Sequence, residues 1–249
     1  MANRILKFLN SLVDLTVILA LLLFGTYALY ALWDNSRIYI AADHIQADML
    51  RRKPDAEQEK DASFEQLRAI NPDVCAWLTL EHTKIDCPVL QGNDNLHYLN
   101  TDVYGDFSLA GSIFLDARND GSFCDAFSLL YGHHMENRRM FGDLDLYRDA
   151  EFFSENSAGM LILPDRTYRL EVFACLSVPA SEQMIFAPQQ TSIPDLLAFL
   201  SENALYLRTD ALCVSGTSVQ ILGLSTCSSE FSDARTVVLA LMESYLPEI

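Results

Sequence analysis

Three residues, far apart in the chain, are of the types needed for acyl transfer through sulfur. Cys227 ends the apolar run Ile221-Leu222-Gly223-Leu224-Ser225-Thr226, and Arg235 follows eight residues later at the head of a second apolar run. His133 closes a third such segment, Leu129-Leu130-Tyr131-Gly132-His133. A thiolate attacks a carbonyl carbon, but a thiol with an ordinary pKa of about 8.5 is mostly protonated at neutral pH and needs a nearby cation. Arg235 suits that task. Its guanidinium stays protonated, so it would also donate to the oxyanion of a tetrahedral intermediate. An imidazole with a pKa of about 6.5 can protonate a leaving amide nitrogen and later deprotonate an incoming amine. Each residue also has a plainer reading. The cysteine could be a small buried hydrophobe, the histidine a loop residue, and the arginine a partner for Glu230 or Asp233. His134 competes with His133, and spacing alone does not choose between them.

These side chains need a scaffold that brings them together. Short runs rich in β-branched and aromatic residues, separated by turn clusters, predict eight strands: 76–80, 84–89, 111–115, 126–131, 159–163, 167–178, 218–226 and 234–242. The last two are apolar on both faces, as central strands are. If they pair as a hairpin, Cys227 ends one and Arg235 begins the other, with the loop 228–233 between. Eight strands in one domain predict a mainly β fold that closes into a barrel and so removes its edges. Helical insertions are expected at 95–100, 140–147 and 193–202, the last with Pro194 in its first turn. That helix falls in the long connection before the seventh strand, where function is expected. Upstream, Ser63 and Gln66 have capping-box spacing for a helix that Asn71-Pro72-Asp73 ends. Gly132 is expected to let backbone or substrate approach His133 closely.

Composition sets the surroundings. The chain has 249 residues, half of them hydrophobic, which is ample for one core. Its formal net charge of -17 argues against nucleic acid as a partner. From Leu15 to Trp33 no residue is charged, long enough for a membrane-spanning helix and longer than the apolar core of a signal peptide. Arg4 and Lys7 lie close to the span, whereas Arg51, Arg52 and Lys53 follow at a distance among acids. That balance favours a cytoplasmic N-terminus. The expected organisation is a cytoplasmic tip and anchor over 1–34, a polar exposed stalk over 35–62 and a catalytic domain over 63–249. The six cysteines show neither a C-x-x-C pair nor zinc-type spacing, so no metal site is expected.

The stretch Leu224-Ser225-Thr226-Cys227, with Arg235 eight residues on, resembles the active-site signature of sortases, membrane-anchored transpeptidases of Gram-positive bacteria. Tyr131-Gly132-His133-His134-Met135 is similar to their histidine motif, in which the imidazole directly after Gly is catalytic; this selects His133. Trp77-Leu78, Thr83-Lys84-Ile85-Asp86-Cys87-Pro88-Val89-Leu90-Gln91, Asn93-Asp94-Asn95-Leu96-His97-Tyr98-Leu99 and Gly111-Ser112-Ile113-Phe114-Leu115-Asp116 are similar to segments of class B. Cys87 departs from the aromatic residue more usual there. The resemblance covers about residues 64–245.

The resemblance implies an eight-stranded sortase-type barrel with an N-terminal helical region. It implies a two-step reaction on a C-terminal sorting signal of a surface protein. Cys227 attacks the carbonyl after Thr, and an amine from a peptidoglycan precursor or a pilin lysine resolves the thioacyl-enzyme. His133 would act as acid and then base, Arg235 would steady the oxyanion, and Ser225 and Thr226 would line the substrate groove. No metal or organic cofactor is implied, and the anchor would place the enzyme in membrane lipid with its catalytic domain outside the cell. Three rivals share parts of the pattern: an L,D-transpeptidase, a cysteine peptidase, and a tethered assembly module whose cysteine is inert. The first typically has a Ser-His-Gly-Cys type run, which Leu224-Ser225-Thr226-Cys227 does not match.

Overall fold

A computed structural model describes residues 2–55, 60–135, 138–209, 219–227 and 234–245. The chain divides into two compact units, Met1–Asp43 and His44–Ile249. The first consists of most of helix α1 (Ala2–Leu50), which is long and apolar enough to cross a membrane. Its apolar side chains from Ile5 to Trp33 are exposed. The uncharged run from Leu15 to Trp33, rich in Leu and Ala and free of Pro, favours helix on propensity.

The second unit is built on a ring of eight strands. In chain order these are β1 (Val74–Leu80), β2 (Asp86–Leu90), β3 (Ile113–Leu115), β4 (Phe127–Met135), β6 (Ala158–Ile162), β7 (Thr167–Pro179), β9 (Gln220–Cys227) and β10 (Ala234–Ser244). Around the ring they run β1-β2-β3-β4-β9-β10-β7-β6, and β6 returns to β1. The pairs β2–β3 and β4–β9 are parallel; the other pairs in the ring are antiparallel. All eight expected strands are present, with ends shifted by a few residues. The two-residue strands β5 (Arg139–Met140) and β8 (Tyr206–Leu207) were too short to leave a periodic signal.

Alternation along the strands separates three packed regions. Leu78, Val89, Leu130, Leu161, Val172, Leu224 and Val238 share the barrel interior. Phe127, Leu129, Leu176, Ile221, Val237 and Leu239 face outward, beneath α4 (Gln183–Phe186) and α5 (Ile193–Asn203), which contribute Ile185, Leu196 and Leu200. Ser192 caps α5 by accepting from Asp195 N, and Pro194 sits in its first turn. This cover is why the strands flanking position 227 are apolar on both faces. On the far side Trp77, Leu90 and Phe114 pack with Phe64 and Leu67 of α2 (Lys60–Ile70) and with Met49.

Three expectations are corrected here. Helix α2 begins by Lys60, so Ser63 lies within it and does not cap it. The segment read as an exposed stalk is partly docked: Met49 and Pro54 are buried, Gln46 Nε2 donates to Lys84 O at 2.9 Å, and Lys53 Nζ lies 2.9 Å from Asp86 Oδ2. The second compact unit accordingly includes this segment from His44 onward. The helix expected over 140–147 is a 3₁₀ helix, Gly142–Arg148, followed by the unanticipated α3 (Ala150–Glu155), which Asp149 caps.

Candidate active site

The parallel ladder between β4 and β9 decides which distant residues become neighbours. Its register runs Tyr131 with Ser225, Gly132 with Thr226 and His133 with Cys227. Adjacent strands lie about 4.8 Å apart, so the backbone positions of His133 and Cys227 share one rung. The antiparallel ladder between β9 and β10 ends at Val237 with Ser225. Arg235 and Cys227 each lie two positions beyond that pair, at the same end of the barrel. Arg235 is half-buried and in register with Val178 of β7.

Strand alternation sorts these positions by face. Ile221 and Val237 belong to the outer core, so positions 227 and 235 fall in the outward series of their strands. Leu129 of the same outer core puts position 133 in the outward series of β4. The intervening residues His134, Thr226 and Thr236 fall in the inward series with Leu130, Leu224 and Val238. The expected loop 228–233, with Glu230 and Asp233, lies outside the described residues, as does Cys213.

His133 and His134 are distinguished by their partners. His133 Nε2 lies 2.6 Å from Leu99 O. A carbonyl only accepts, so Nε2 carries hydrogen whether the ring is neutral or charged, and proton gain and loss fall to Nδ1. His134 Nε2 lies 2.8 Å from Asp145 Oδ2. Leu99 is held by an unusual backbone neighbour: Gly111 has φ +60°, and a Cβ there would come within 2.6 Å of Tyr98 O and closer still to Leu99 O. Gly132 is needed for a different contact than expected. Its space is taken by Ile113 and by the Phe141 ring, 2.9 Å from a Cβ, rather than by backbone or substrate.

Ser225 is fully buried and Thr226 nearly so. Ser225 Oγ donates to Thr226 O at 3.3 Å, and Thr226 Oγ1 accepts from Thr236 N at 3.2 Å, fastening β9 to β10 just before the site. Beside Tyr131, the fully buried Asp116 accepts from Arg118 Nη2 at 2.6 Å, Asn95 Nδ2 at 3.0 Å and Tyr131 Oη at 3.0 Å. Burial opposes its charge, but these bonds outweigh burial and hold its pKa below the ordinary carboxylate value. Arg118 also donates to Phe186 O at 2.7 Å, tying α4 to the barrel. The sequence reading missed Leu99, Gly111, Asp116 and Asp145 as parts of this site. A backbone carbonyl leaves no residue-type signal, but Gly111 and Asp116 bracket a recognised segment and could have been questioned for their chemistry.

Cys75, Cys87, Cys124 and Cys175 are free thiols. Burial pushes Cys75, Cys87 and Cys175 up to about 12, so they are not nucleophiles near neutrality. Cys124 is exposed. Among the described residues, no group of three or more His, Cys, Asp or Glu could hold a metal ion.

Comparison with known proteins bears on what this arrangement serves. No model of a known protein family matches the chain. Sortase B of Listeria monocytogenes is 34% identical over 166 residues, which span 66% of each chain. Sortase B of Staphylococcus aureus is 26% identical over 243 residues, covering 95% of this chain and 97% of that protein. The crystal structure of a Streptococcus pyogenes class B sortase involved in pilus biogenesis superposes with a TM-score of 0.65 at 35% identity, covering 72% of this chain and 97% of that one. Clostridium perfringens sortase B gives 0.64 at 30% identity, covering 72% and 99%. The chain belongs to the class B sortases. Its reaction class is that of a sortase-type cysteine transpeptidase, and its closed eight-stranded mixed barrel with an N-terminal helical region is the class B sortase fold.

Proposed function

We propose that this class B sortase cleaves a C-terminal sorting signal of a surface protein after Thr and passes the acyl group to an amine. The observation that carries the reading is the β4–β9 register, which sets His133 and Cys227 on one rung. The thiol of Cys227 passes its proton to His133 Nδ1 as its sulfur bonds to the scissile carbonyl carbon. The carbonyl π electrons move to oxygen, where Arg235 and backbone N–H groups meet the negative charge. The C–N bond then breaks, and His133 gives its Nδ1 proton to the departing amide nitrogen. In the second step His133 takes a proton from the incoming amine, whose nitrogen bonds to the thioacyl carbon as the C–S bond breaks. Leu99 O fixes the ring through Nε2 in both steps. Ser225 and Thr226 support the substrate groove by holding the β9–β10 seam, since both are buried.

The amine is a peptidoglycan precursor or a pilin lysine. The pilin reading is supported by the S. pyogenes class B sortase involved in pilus biogenesis, and S. aureus sortase B has been solved in complex with a substrate. Helix α1, long and apolar enough to span, anchors the chain in membrane lipid with its N-terminus in the cytoplasm and the residues after about 35 outside. The charge balance around the span supports that orientation. The test is mass spectrometry of the full chain in detergent with candidate sorting peptides. The expected result is a thioacyl adduct on Cys227 that hydroxylamine diverts to a hydroxamate. An unmodified Cys227, or release of free acid that hydroxylamine does not divert, overturns transpeptidation.

A further inference from the structure

Asp145 lies on the 3₁₀ helix Gly142–Arg148, which packs against β4, β7, β9 and β10. Its two oxygens reach two different strands. Oδ2 is 2.8 Å from His134 Nε2 on β4, and Oδ1 accepts from Thr236 Oγ1 on β10 at 2.7 Å. Thr236 in turn donates its N–H to Thr226 Oγ1 on β9. Arg148 Nη1 approaches Oδ1 only to 4.0 Å. The residues so joined are the chain neighbours of the three proposed catalytic residues: His134 follows His133, Thr236 follows Arg235 and Thr226 precedes Cys227.

Alternation explains why neighbours are gripped. By strand alternation, positions 134, 226 and 236 belong to the series of Leu130, Leu224 and Val238, opposite to that of 133, 227 and 235. His134 and Asp145 meet at the open end of the barrel, with side chains 41% and 39% exposed. A group at that end of the barrel can therefore hold all three strand ends from the face opposite the proposed catalytic positions. We propose that Asp145 is a positioning residue for acyl transfer: one half-exposed carboxylate at the end of the barrel that keeps the strands bearing His133, Cys227 and Arg235 in mutual register. The inference rests on the sortase reading of the site. It differs from a packing role because the bonds are directional and converge on the reacting strands, where a misplacement of about 1 Å costs about a hundredfold in rate.

The experiment measures Cys227 acylation by a sorting peptide, with kcat and KM separated, in the full chain and in Asp145→Ala, Asp145→Asn, Thr236→Val and the Asp145→Ala/Thr236→Val pair. The expected result is a kcat loss of about 10–100-fold for Asp145→Ala with KM changed less than about threefold. Asp145→Asn, which keeps an acceptor for Thr236, recovers part of the rate. The double variant is no slower than Asp145→Ala alone, as for two groups in one chain of bonds. Wild-type kcat in Asp145→Ala overturns the inference, as does additive loss in the double variant or a rate that follows melting temperature with no recovery by Asn. If Asp145→Ala does not fold, Thr236→Val alone decides: an unchanged kcat overturns, and a reduced kcat at unchanged KM supports. A wild-type chain that forms no adduct overturns the sortase reading and this inference together, whereas an acylating wild type with equally active variants overturns only the role of Asp145.

Discussion

The two sides of the barrel are wired differently. On one side, β1 with β2 and β6 with β7 are antiparallel hairpins closed by short turns, where Leu80 N bonds Ile85 O and Leu163 N bonds Arg166 O. On the other, β2 with β3 and β4 with β9 are parallel, and no tight turn can join parallel neighbours. The chain must leave and return, and what it carries on the way serves the site. The β2–β3 connection brings Leu99 O to His133, and the first stretch of chain after β4, before β6, brings Asp145 to His134 and Thr236. The local side supplies stability, and the non-local side supplies chemistry.

The sharpest contrast is between matched lesions on the two sides. Cys227→Ala is expected to abolish acylation and His133→Ala to slow it by about a thousandfold or more. Leu161→Ala, in the hairpin half, costs about 2–5 kcal/mol of stability and leaves the kcat of folded enzyme unchanged. Peptide acylation beside denaturant melts reads both. A subtler pair uses two crowded glycines. A Cβ at Gly159 would come within 2.7 Å of Thr79 O, and one at Gly111 would press on Tyr98 O and Leu99 O. Both alanine variants lose about 1–3 kcal/mol, but only Gly111→Ala lowers kcat, by about tenfold, because it displaces the carbonyl that holds His133. Equal kcat in the two would erase the distinction.

Thiol chemistry gives a third comparison. Near pH 7.5 iodoacetamide should label the exposed Cys124 and leave Cys75, Cys87 and Cys175 intact, since a pKa of about 12 leaves roughly one part in 10⁴ or less as thiolate. In a Cys124→Ala background fast labelling should fall on Cys227 and slow in His133→Ala or Arg235→Ala; peptide mapping reads this. The same buried thiols fix an alkaline slope. The unfolded chain loses these protons near pH 8.5 and the folded chain near 12, so stability falls as pH rises between those values. The smallest effect concerns Asp116. Its folded pKa is depressed, so its contribution is present above about pH 3.9 and lost as pH falls toward the folded value. Asp116→Asn should cost about 1–3 kcal/mol near neutrality and flatten that acid limb in melts against pH.

Much of the barrel was legible because it is written in local patterns. All eight ring strands announce themselves by apolar runs between turn residues, and Pro194 marks the helix over β9 and β10. The proposed catalytic residues were selected only because their flanking motifs resemble a family's. Nothing in the chain around His133 states that its strand will lie parallel to the one ending at Cys227. Partners made by the backbone or by inward neighbours stayed hidden: Leu99 contributes a carbonyl, and Asp145 is one of many acids in a chain of net charge -17. The polar segment after the span was misread because composition shows its charges and conceals that Met49 and Pro54 are buried.

Closure of the ring has a consequence for when the enzyme can first act. Strand β10 follows the other seven ring strands in the chain and fills the gap between β9 and β7. A polypeptide made from its N-terminus presents Cys227 before Arg235, and His133 long before either. Until that final strand slots in, two edges stand open and no rung joins all the parts. With the roles proposed for His133, Cys227 and Arg235, reactivity arrives together with completion of the fold, and a half-made chain carries an idle thiol.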